Sequence, residues 1–354
     1  MRILQVLGSA SHGGAEAFFE RLVPALGRAG VDQRVLIRPF VDREAILRAA
    51  GFSPVFAPFG GAFDFRTQRI FRREIESFRP HIVFTWQNRA SRVAPKGQFV
   101  HVARMGGYYD LKYYRSADHL IGNTQDIRDY LVAQGWPGSR AHYAPNFVDD
   151  RSAAPLSRAE HETPEDVPLV LALGRLHENK AYDVLLRAFS DVPGAYLWIA
   201  GSGPEESKLR ALAAASGIAS RVRLLGWRRD VAPLFAACDV LVCPSRHEPL
   251  GNVVLEAYAH SRPVVAASSQ GPGMLIEDGR SGLLVPVDDI PALSAALRRM
   301  INDTALRARC TTIGHQIWQT HYSEPVVVQH YLALLESFLA SARPASTPPA
   351  KPTK

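Results

Sequence analysis

Two glutamates stand eight positions apart in HEPLGNVVLEAYA, residues 247–259. Glu248 lies in a turn-rich segment with Pro249 and Gly251, and Glu256 lies in an apolar run that reads as a helix. In an open α/β sheet, ligands sit beyond the carboxyl ends of the strands. Residues 240–243 read as such a strand. A helix opening near 250–252 then turns its unpaired N–H groups and positive dipole end into the crevice, which suits a diphosphate. Glu248 would accept hydrogen bonds from ligand hydroxyls, and Glu256, about one turn into the helix, would reach a second polar part of the same ligand. Two carboxylates beside a phosphate-binding helix end describe a receptor for a sugar nucleotide.

Three further groups accompany that pair. In LALGRLHENKAYDVLLRAF a strand ends at Gly174, and Arg175 and Lys180 follow before the next helical pattern. Two cations at a strand's carboxyl end face the same crevice and can neutralise a departing diphosphate. In IAGSGPEESKLR, Gly201 and Gly203 follow a strand and permit a close backbone approach, to a ligand or simply in a tight turn. The acidic start of the helix that follows disfavours a dinucleotide phosphate there. Near the N-terminus, GSASHGGAEAFFERL places Gly13 and Gly14 after the first strand, where a ligand can approach the backbone or the chain can merely turn.

The positioning elements are short apolar runs alternating with helical patterns. Strands are expected over 3–8, 34–38, 55–59, 81–86, 99–103 and 119–122, with helices over 15–28, 66–78 and 125–134. This alternation implies βαβ units and a parallel sheet. Residues 150–168 are polar, carry three prolines and lack apolar periodicity, which is a linker composition. A second series of strands follows over 169–174, 196–200, 221–225, 240–243, 264–267 and 282–285. The expected organisation is a first Rossmann-like domain over 1–150, a linker over 151–167 and a second such domain over 168–322. A C-terminal helix over 323–340 and a disordered Pro-rich tail over 341–354 complete it.

The totals fit this reading. The 354 residues suffice for two cores, and 47% apolar with 21% charged residues is ordinary for a globular chain. No apolar run approaches the ~20 residues of a membrane span, and the N-terminus reads as a strand rather than a signal peptide. Cys238, Cys243 and Cys310 are too few for a disulfide framework and suit buried thiols in a reducing cytoplasm. Net charge is +7, concentrated over residues 66–115, which hold 11 basic and 3 acidic residues. Such a surface attracts anionic partners. In RTQRIFRREIESFR, Arg66, Arg69 and Arg73 fall on one side of a helix and Ile70, Phe71, Ile75 and Phe78 on another. The stripe can pack on the core or the helix can lie on an anionic membrane.

Taken in order, these segments resemble the retaining glycosyltransferases of family four, which have the GT-B fold. The resemblance covers the whole chain except the tail. It runs through Gly13-Gly14-Ala15-Glu16, Pro145-Asn146-Phe147-Val148-Asp149, Gly174-Arg175-Leu176 with Lys180, and Gly201-Ser202-Gly203-Pro204-Glu205. It ends in Glu248-x7-Glu256 and EDGRSGLLVPVDD, residues 277–289. It implies two Rossmann-like doubly wound domains facing across a cleft, the first binding the acceptor and the second the nucleotide sugar, with the C-terminal helix returning to the first.

By that resemblance Arg175 and Lys180 contact the donor diphosphate, Glu248 the transferred sugar and Glu256 the ribose. The backbone at Gly251, Asn252 and Val253 touches sugar and phosphates, and Gly13, Gly14, Gly201 and Gly203 lie on the donor side. The implied reaction retains the anomeric configuration, with no cofactor and no metal. Many relatives carry a histidine in the turn that here reads Met105-Gly106-Gly107. Arg104, Tyr108 and Tyr109 are the candidates to line the acceptor site, with a purely structural role the alternative.

Relatives with this type of first domain often build lipopolysaccharide or other glycolipids. A lipid-linked or glycan acceptor at the inner face of a membrane is therefore expected, with a cytoplasmic enzyme in peripheral contact. The competing readings are a catalytically silent glycan- or nucleotide-sugar-binding protein and a GT-B nucleotide-sugar epimerase. Nucleic-acid binding has only the basic first half in its favour, with no recognition motif.

Overall fold

The computed structural model describes residues 1–10, 13–61, 64–148, 150–228 and 230–341. Chain contacts divide it into two units. One is Met1–Pro145 joined by the chain from Pro325 onward, and the other is Asn146–Glu324.

Among the described residues, the first unit has seven strands: β1 (Arg2–Leu7), β2 (Asp32–Ile37), β3 (Val55–Phe56), β4 (Ile82–Trp86), β5 (Val100–Met105), β6 (His119–Gly122) and β7 (Ala141–Tyr143). They pair in parallel in the order β3-β2-β1-β4-β5-β6-β7. Helices α1 (Gly14–Arg28), α2 (Val41–Ala49), α3 (Phe65–Phe78), α4 (Gln87–Val93) and α5 (Gln125–Ala133) connect them. The expected strand over 55–59 is short because the chain turns at Phe59, whose φ is +49. Strand β7 carries only one buried residue of its three, and so gives no periodic signal.

The second unit holds β8 (Leu169–Leu173), β9 (Tyr196–Ala200), β10 (Val222–Gly226), β11 (Val240–Cys243), β12 (Val264–Ala267) and β13 (Leu283–Val285), parallel in the order β10-β9-β8-β11-β12-β13. Its helices are α6 (Tyr182–Ser190), α7 (Glu206–Ala215), α8 (Val231–Ala237), α9 (Asn252–Ala259), α10 (Gln270–Leu275), α11 (Ile290–Asn302) and α12 (Thr304–His321). Alternate side chains of each central strand enter opposite layers, as a period of two requires. Val170 and Ala172 join the layer under α6 and α11, whereas Leu169, Leu171 and Leu173 join the layer under α8 and α9. Leu197 and Ile199 divide from Trp198 and Ala200 in the same way. A strand covered on both faces reads as an unbroken apolar run.

Each sheet reverses its strand order once, between β1 and β4 and between β8 and β11. Such reversals open a crevice at the carboxyl ends. In the first unit the reversal is pinned by Gln5, fully buried in β1, which accepts from Trp86 Nε1 at 2.9 Å and donates to Gln33 Oε1 at 3.0 Å.

Residues 151–167 form no strand or α-helix but pack on the second unit. The Arg158 guanidinium donates to the carbonyls of Ala237, Glu165 and Val167, and Trp198 Nε1 donates to Thr163 Oγ1 at 2.9 Å. Helix α13 (Glu324–Ser341) returns to the first unit. Arg104, 1% exposed, donates from Nε to Tyr331 Oη at 2.9 Å, and Tyr331 donates on to Ala144 O at 3.2 Å. Phe338 stacks on His119 at 4.0 Å. The expected tail beyond Ser341 and Asp149 of the sequence motif lie outside the described residues. No described helix is long and apolar enough to cross a membrane.

The Arg104–Tyr331 contact makes α13 part of the first unit's interior. Replacing Tyr331 with Phe leaves the buried guanidinium without that acceptor, and an unmet buried polar group costs about 1–3 kcal/mol. Urea denaturation of Tyr331→Phe is expected to show that loss. An unchanged midpoint would mean that the contact does not hold the helix.

Candidate functional site

The second unit brings its expected residues together at the β8/β11 reversal. Gly174 ends β8, and the chain passes through a 3-10 turn, Glu178–Lys180, to Ala181, which caps α6 at φ +52. On the other side β11 ends at Cys243, and a loop carries Glu248 to α9. The Lys180 ammonium and the Glu248 carboxylate meet as an ion pair across the reversal, their side chains 22% and 14% exposed. Burial alone would lower the Lys180 pKa, but Glu248, then Cys243 and Glu256, outweigh it and hold it above its ordinary value. Both glutamates therefore bear on one ammonium.

Helix α9 is positioned by Gly251. Its φ of +80 suits glycine and lets the chain turn into the helix without a side-chain cap. Glu248 Oε1 accepts from Gly251 N at 3.4 Å, and Gly271 N donates to Glu248 O at 2.8 Å. The helix start is fixed further by Asn146, which donates from Nδ2 to Asn252 Oδ1 at 2.9 Å. Glu256 is half-buried in the second turn, and Val253 is half-buried in the first.

Gly201 and Gly203 are explained by backbone packing. A Cβ on Gly201 would stand 1.8 Å from Gly174 O, and one on Gly203 2.2 Å from Leu176 O. The two loops are joined by Gly174 N to Ala200 O at 3.0 Å and Leu176 N to Ser202 O at 3.0 Å. These glycines thus position the loop that carries Arg175, which is exposed. Tyr182 Oη is buried without a hydrogen-bond partner among the described residues, and it lies 3.1 Å from where a Cβ on Gly174 would be.

Sequence reasoning missed Arg246. It grips Asp183 with two bonds of 2.8 and 3.0 Å and Asp288 at 2.7 Å, and it donates to Glu178 O at 2.7 Å. It thereby ties the Lys180 turn to the Glu248 loop. Its partners lie 42, 63 and 68 positions away, so spacing gives no hint of them. A cavity of about 630 Å³ beside this turn is lined by His177, Tyr182, Asp183, Lys208 and Arg246, but by none of Lys180, Glu248 and Glu256, and is a separate feature.

In the first unit Gly13 and Gly14 are exposed at the start of α1. Tyr109 is half-buried, and Tyr130 Oη donates to its carbonyl at 3.3 Å. Tyr108 donates to the Asp126 carboxylate and meets Tyr130 edge-on at 5.2 Å. Its burial and then Asp126 push its pKa up to about 12. Arg104, besides binding Tyr331, lies 4.5 Å over Phe18 and 5.0 Å over Trp86, the interior of the unit. The structural alternative thus accounts for its contacts. His101 is also interior, bonded through Nε2 to Thr85 at 2.9 Å and through Nδ1 to Ser116 O at 3.0 Å. Among the described residues, no group of three or more His, Cys, Asp or Glu is placed to hold a metal ion.

The chain is similar to known proteins along most of its length. A family model described as Glycosyltransferase Family 4 matches residues 12–152, and one described as Glycosyl transferases group 1 matches residues 167–303. The chain is 35% identical over 339 residues to the lipopolysaccharide core biosynthesis glycosyltransferase LpsE of Rhizobium meliloti, covering 92% of this chain and 96% of that one. It is 34% identical to LpsD of the same organism, covering 93% and 97%. Among solved structures, Anabaena HepE in complex with UDP and glucose superposes with a TM-score of 0.81 at 20% identity, over 95% of this chain and 100% of that one. A glycosyltransferase from Rickettsia africae gives 0.85 at 17% identity, over 96% and 98%. With two Rossmann-like parallel sheets, the Glu248-x7-Glu256 pair and relatives matched over nearly their whole length, the chain belongs to glycosyltransferase family four and has the GT-B fold.

Proposed function

We propose that this glycosyltransferase moves a sugar from a nucleotide-sugar donor to a lipopolysaccharide-core or related glycolipid acceptor, with retention of the anomeric configuration. The observation that carries the donor half is the Lys180–Glu248 pair across the β8/β11 reversal, with the start of α9 and Glu256 beside it. Arg175, Lys180 and the N–H groups of Gly251, Asn252 and Val253 receive the diphosphate. Glu248 accepts from hydroxyls of the transferred sugar and Glu256 from the ribose. Lys180 and Arg175 balance the charge that grows on the leaving phosphate, which takes the acceptor proton on the face it departs from. Cations and the helix end serve that charge without a metal. HepE has been solved with UDP-glucose, which supports a nucleotide-sugar donor. The names of LpsE and LpsD support the acceptor class.

We further propose that the first unit meets an anionic membrane on the inner face. Phe71 of α3 is buried, and Ile70, Ile75 and Phe78 pack on the unit's core. The face left to solvent carries Arg66, Arg69, Arg72 and Arg73, with Phe65 72% exposed at its start.

Three outcomes test this reading. Binding and turnover of UDP-, GDP- and ADP-sugars by the wild type should identify a donor, with Lys180→Ala and Glu256→Ala each lowering kcat/KM at least about a hundredfold, and NMR of the product should show the donor's anomeric configuration. No nucleotide sugar bound at millimolar concentration would remove the donor reading, and an inverted product the retaining one.

The pH dependence follows from Lys180, whose pKa is raised above 10.5. The stability it contributes is fully present below the unfolded value and is lost only as pH rises through the folded one. Melting temperature should show no Lys180-dependent step between about pH 6 and 9. A step in that window that the wild type shows and Lys180→Met lacks would contradict the pairing, whereas a constant offset between them is what loss of the pair produces.

Finally, the chain should float with vesicles containing phosphatidylglycerol and not with phosphatidylcholine alone. Arg66→Glu with Arg69→Glu should weaken this about tenfold or more, at about 1 kcal/mol per basic residue. Equal binding to both vesicle types would exclude the membrane contact.

A further inference from the structure

The β1/β4 reversal of the first unit holds a second polar cluster, and its chemistry is opposite to that of the donor crevice. Gln87 follows β4 directly and holds φ +60, a conformation that is uncommon and costly for a non-glycine residue. Its Nε2 donates to Glu16 Oε1 at 3.1 Å. Glu16 stands in the first turn of α1 and is 6% exposed. Its second carboxylate oxygen lies 2.6 Å from the place of a Cβ on Gly13. Gly13 is extended at φ −178, so its backbone angle suits any residue, and the carboxylate is what leaves no room for a side chain.

Asn123 follows β6 and is 5% exposed, and its Oδ1 has no hydrogen-bond partner among the described residues. Asn123 Nδ2 and Ala15 Cβ each lie 3.8 Å from the place of a Cβ on Gly106, so Asn123 faces the start of α1 across that glycine. Tyr109 Oη lies 3.6 Å from the same construction at Gly107. Burial, then the charge of Glu16, raises the Tyr109 pKa, so the phenol stays a donor.

The acceptor atoms Glu16 carboxylate and Asn123 Oδ1 call for hydrogen-bond donors. A phosphate there would meet a buried carboxylate that already occupies the positive end of α1. We infer that Glu16 and Asn123, with Gln87 positioning Glu16, form a subsite for neutral hydroxyls of the acceptor sugar and reject a phosphorylated ring. The inference rests on reading this unit as the acceptor half of the enzyme.

The test is a ligand-observed NMR titration of the full chain with methyl α-D-glucopyranoside, methyl α-D-mannopyranoside and their 6-phosphates, with UDP titrated separately. At least one neutral glycoside should bind the wild type, and its 6-phosphate should bind more weakly. Glu16→Gln, which keeps size and removes charge, and Asn123→Ala should each weaken the glycoside about tenfold. Both variants should keep the wild-type melting temperature and UDP affinity. Glu16→Gln should also narrow the preference over the phosphate. The inference is overturned if the phosphate binds as well as the glycoside, if folded variants bind the glycoside unchanged, or if no glycoside binds. The glycoside arm decides it whichever way the UDP arm falls, and loss of UDP binding in the wild type counts instead against the donor reading.

Discussion

The second unit is organised around one electrostatic requirement, that Lys180 and Glu248 meet across the β8/β11 reversal. They sit on loops 68 residues apart in sequence, and each is largely shielded from water. A charge in that position must be paired or it destabilises the fold. Much of the surrounding detail serves the meeting. Gly201 and Gly203 let the β9 loop press against the Gly174 turn, and Arg246 ties the 178–180 turn to the Glu248 loop. Gly251 and Gly271 fix Glu248 from the helix side. The diphosphate of the proposed donor would find cations already oriented here, with little reorganisation left for the moment of reaction.

The two units share an architecture and differ in the side chains at their reversals. Both are parallel sheets with one reversal, and both place polar side chains at the carboxyl ends beside it. In the second unit the reversal carries an ammonium paired with Glu248, whose carboxylate also accepts from Gly251 N at the start of α9. In the first it carries a carboxylate seated in the first turn of α1 and an amide holding it. The same backbone device thus carries different charges in the two units. The difference lies in side chains, which is why fold alone does not assign a ligand.

Much of this was legible in the sequence because buried parallel strands read as apolar runs and because the key residues stand at strand ends. The second unit's strands fall within a residue or two of their expected places, and Lys180, Glu248, Gly251 and Asn252 come together as their positions after strands imply. What was not legible depends on distant partners. Nothing local marks Arg246 as a clamp, Gln87 as left-handed, or Arg104 as the partner of a tyrosine 227 residues later. The polar stretch 151–167 reads as a linker by composition, yet Arg158 binds it to carbonyls that only the fold provides. The apolar stripe of α3 was ambiguous because core and membrane demand the same pattern, and burial of Phe71 assigns it to the core.

Helix α13 gives the chain a particular order of completion. The first unit needs Tyr331 to satisfy Arg104 and Phe338 to cover His119, and both come from α13, after the whole of the second unit in sequence. On the ribosome the N-terminal sheet therefore emerges long before its last structural member. The second unit, continuous from Asn146 to Glu324, has all its parts while the first is still incomplete. The half synthesised first is the half finished last, so emergence of α13, and not of the N-terminal sheet, is the event that seals the interior around Arg104.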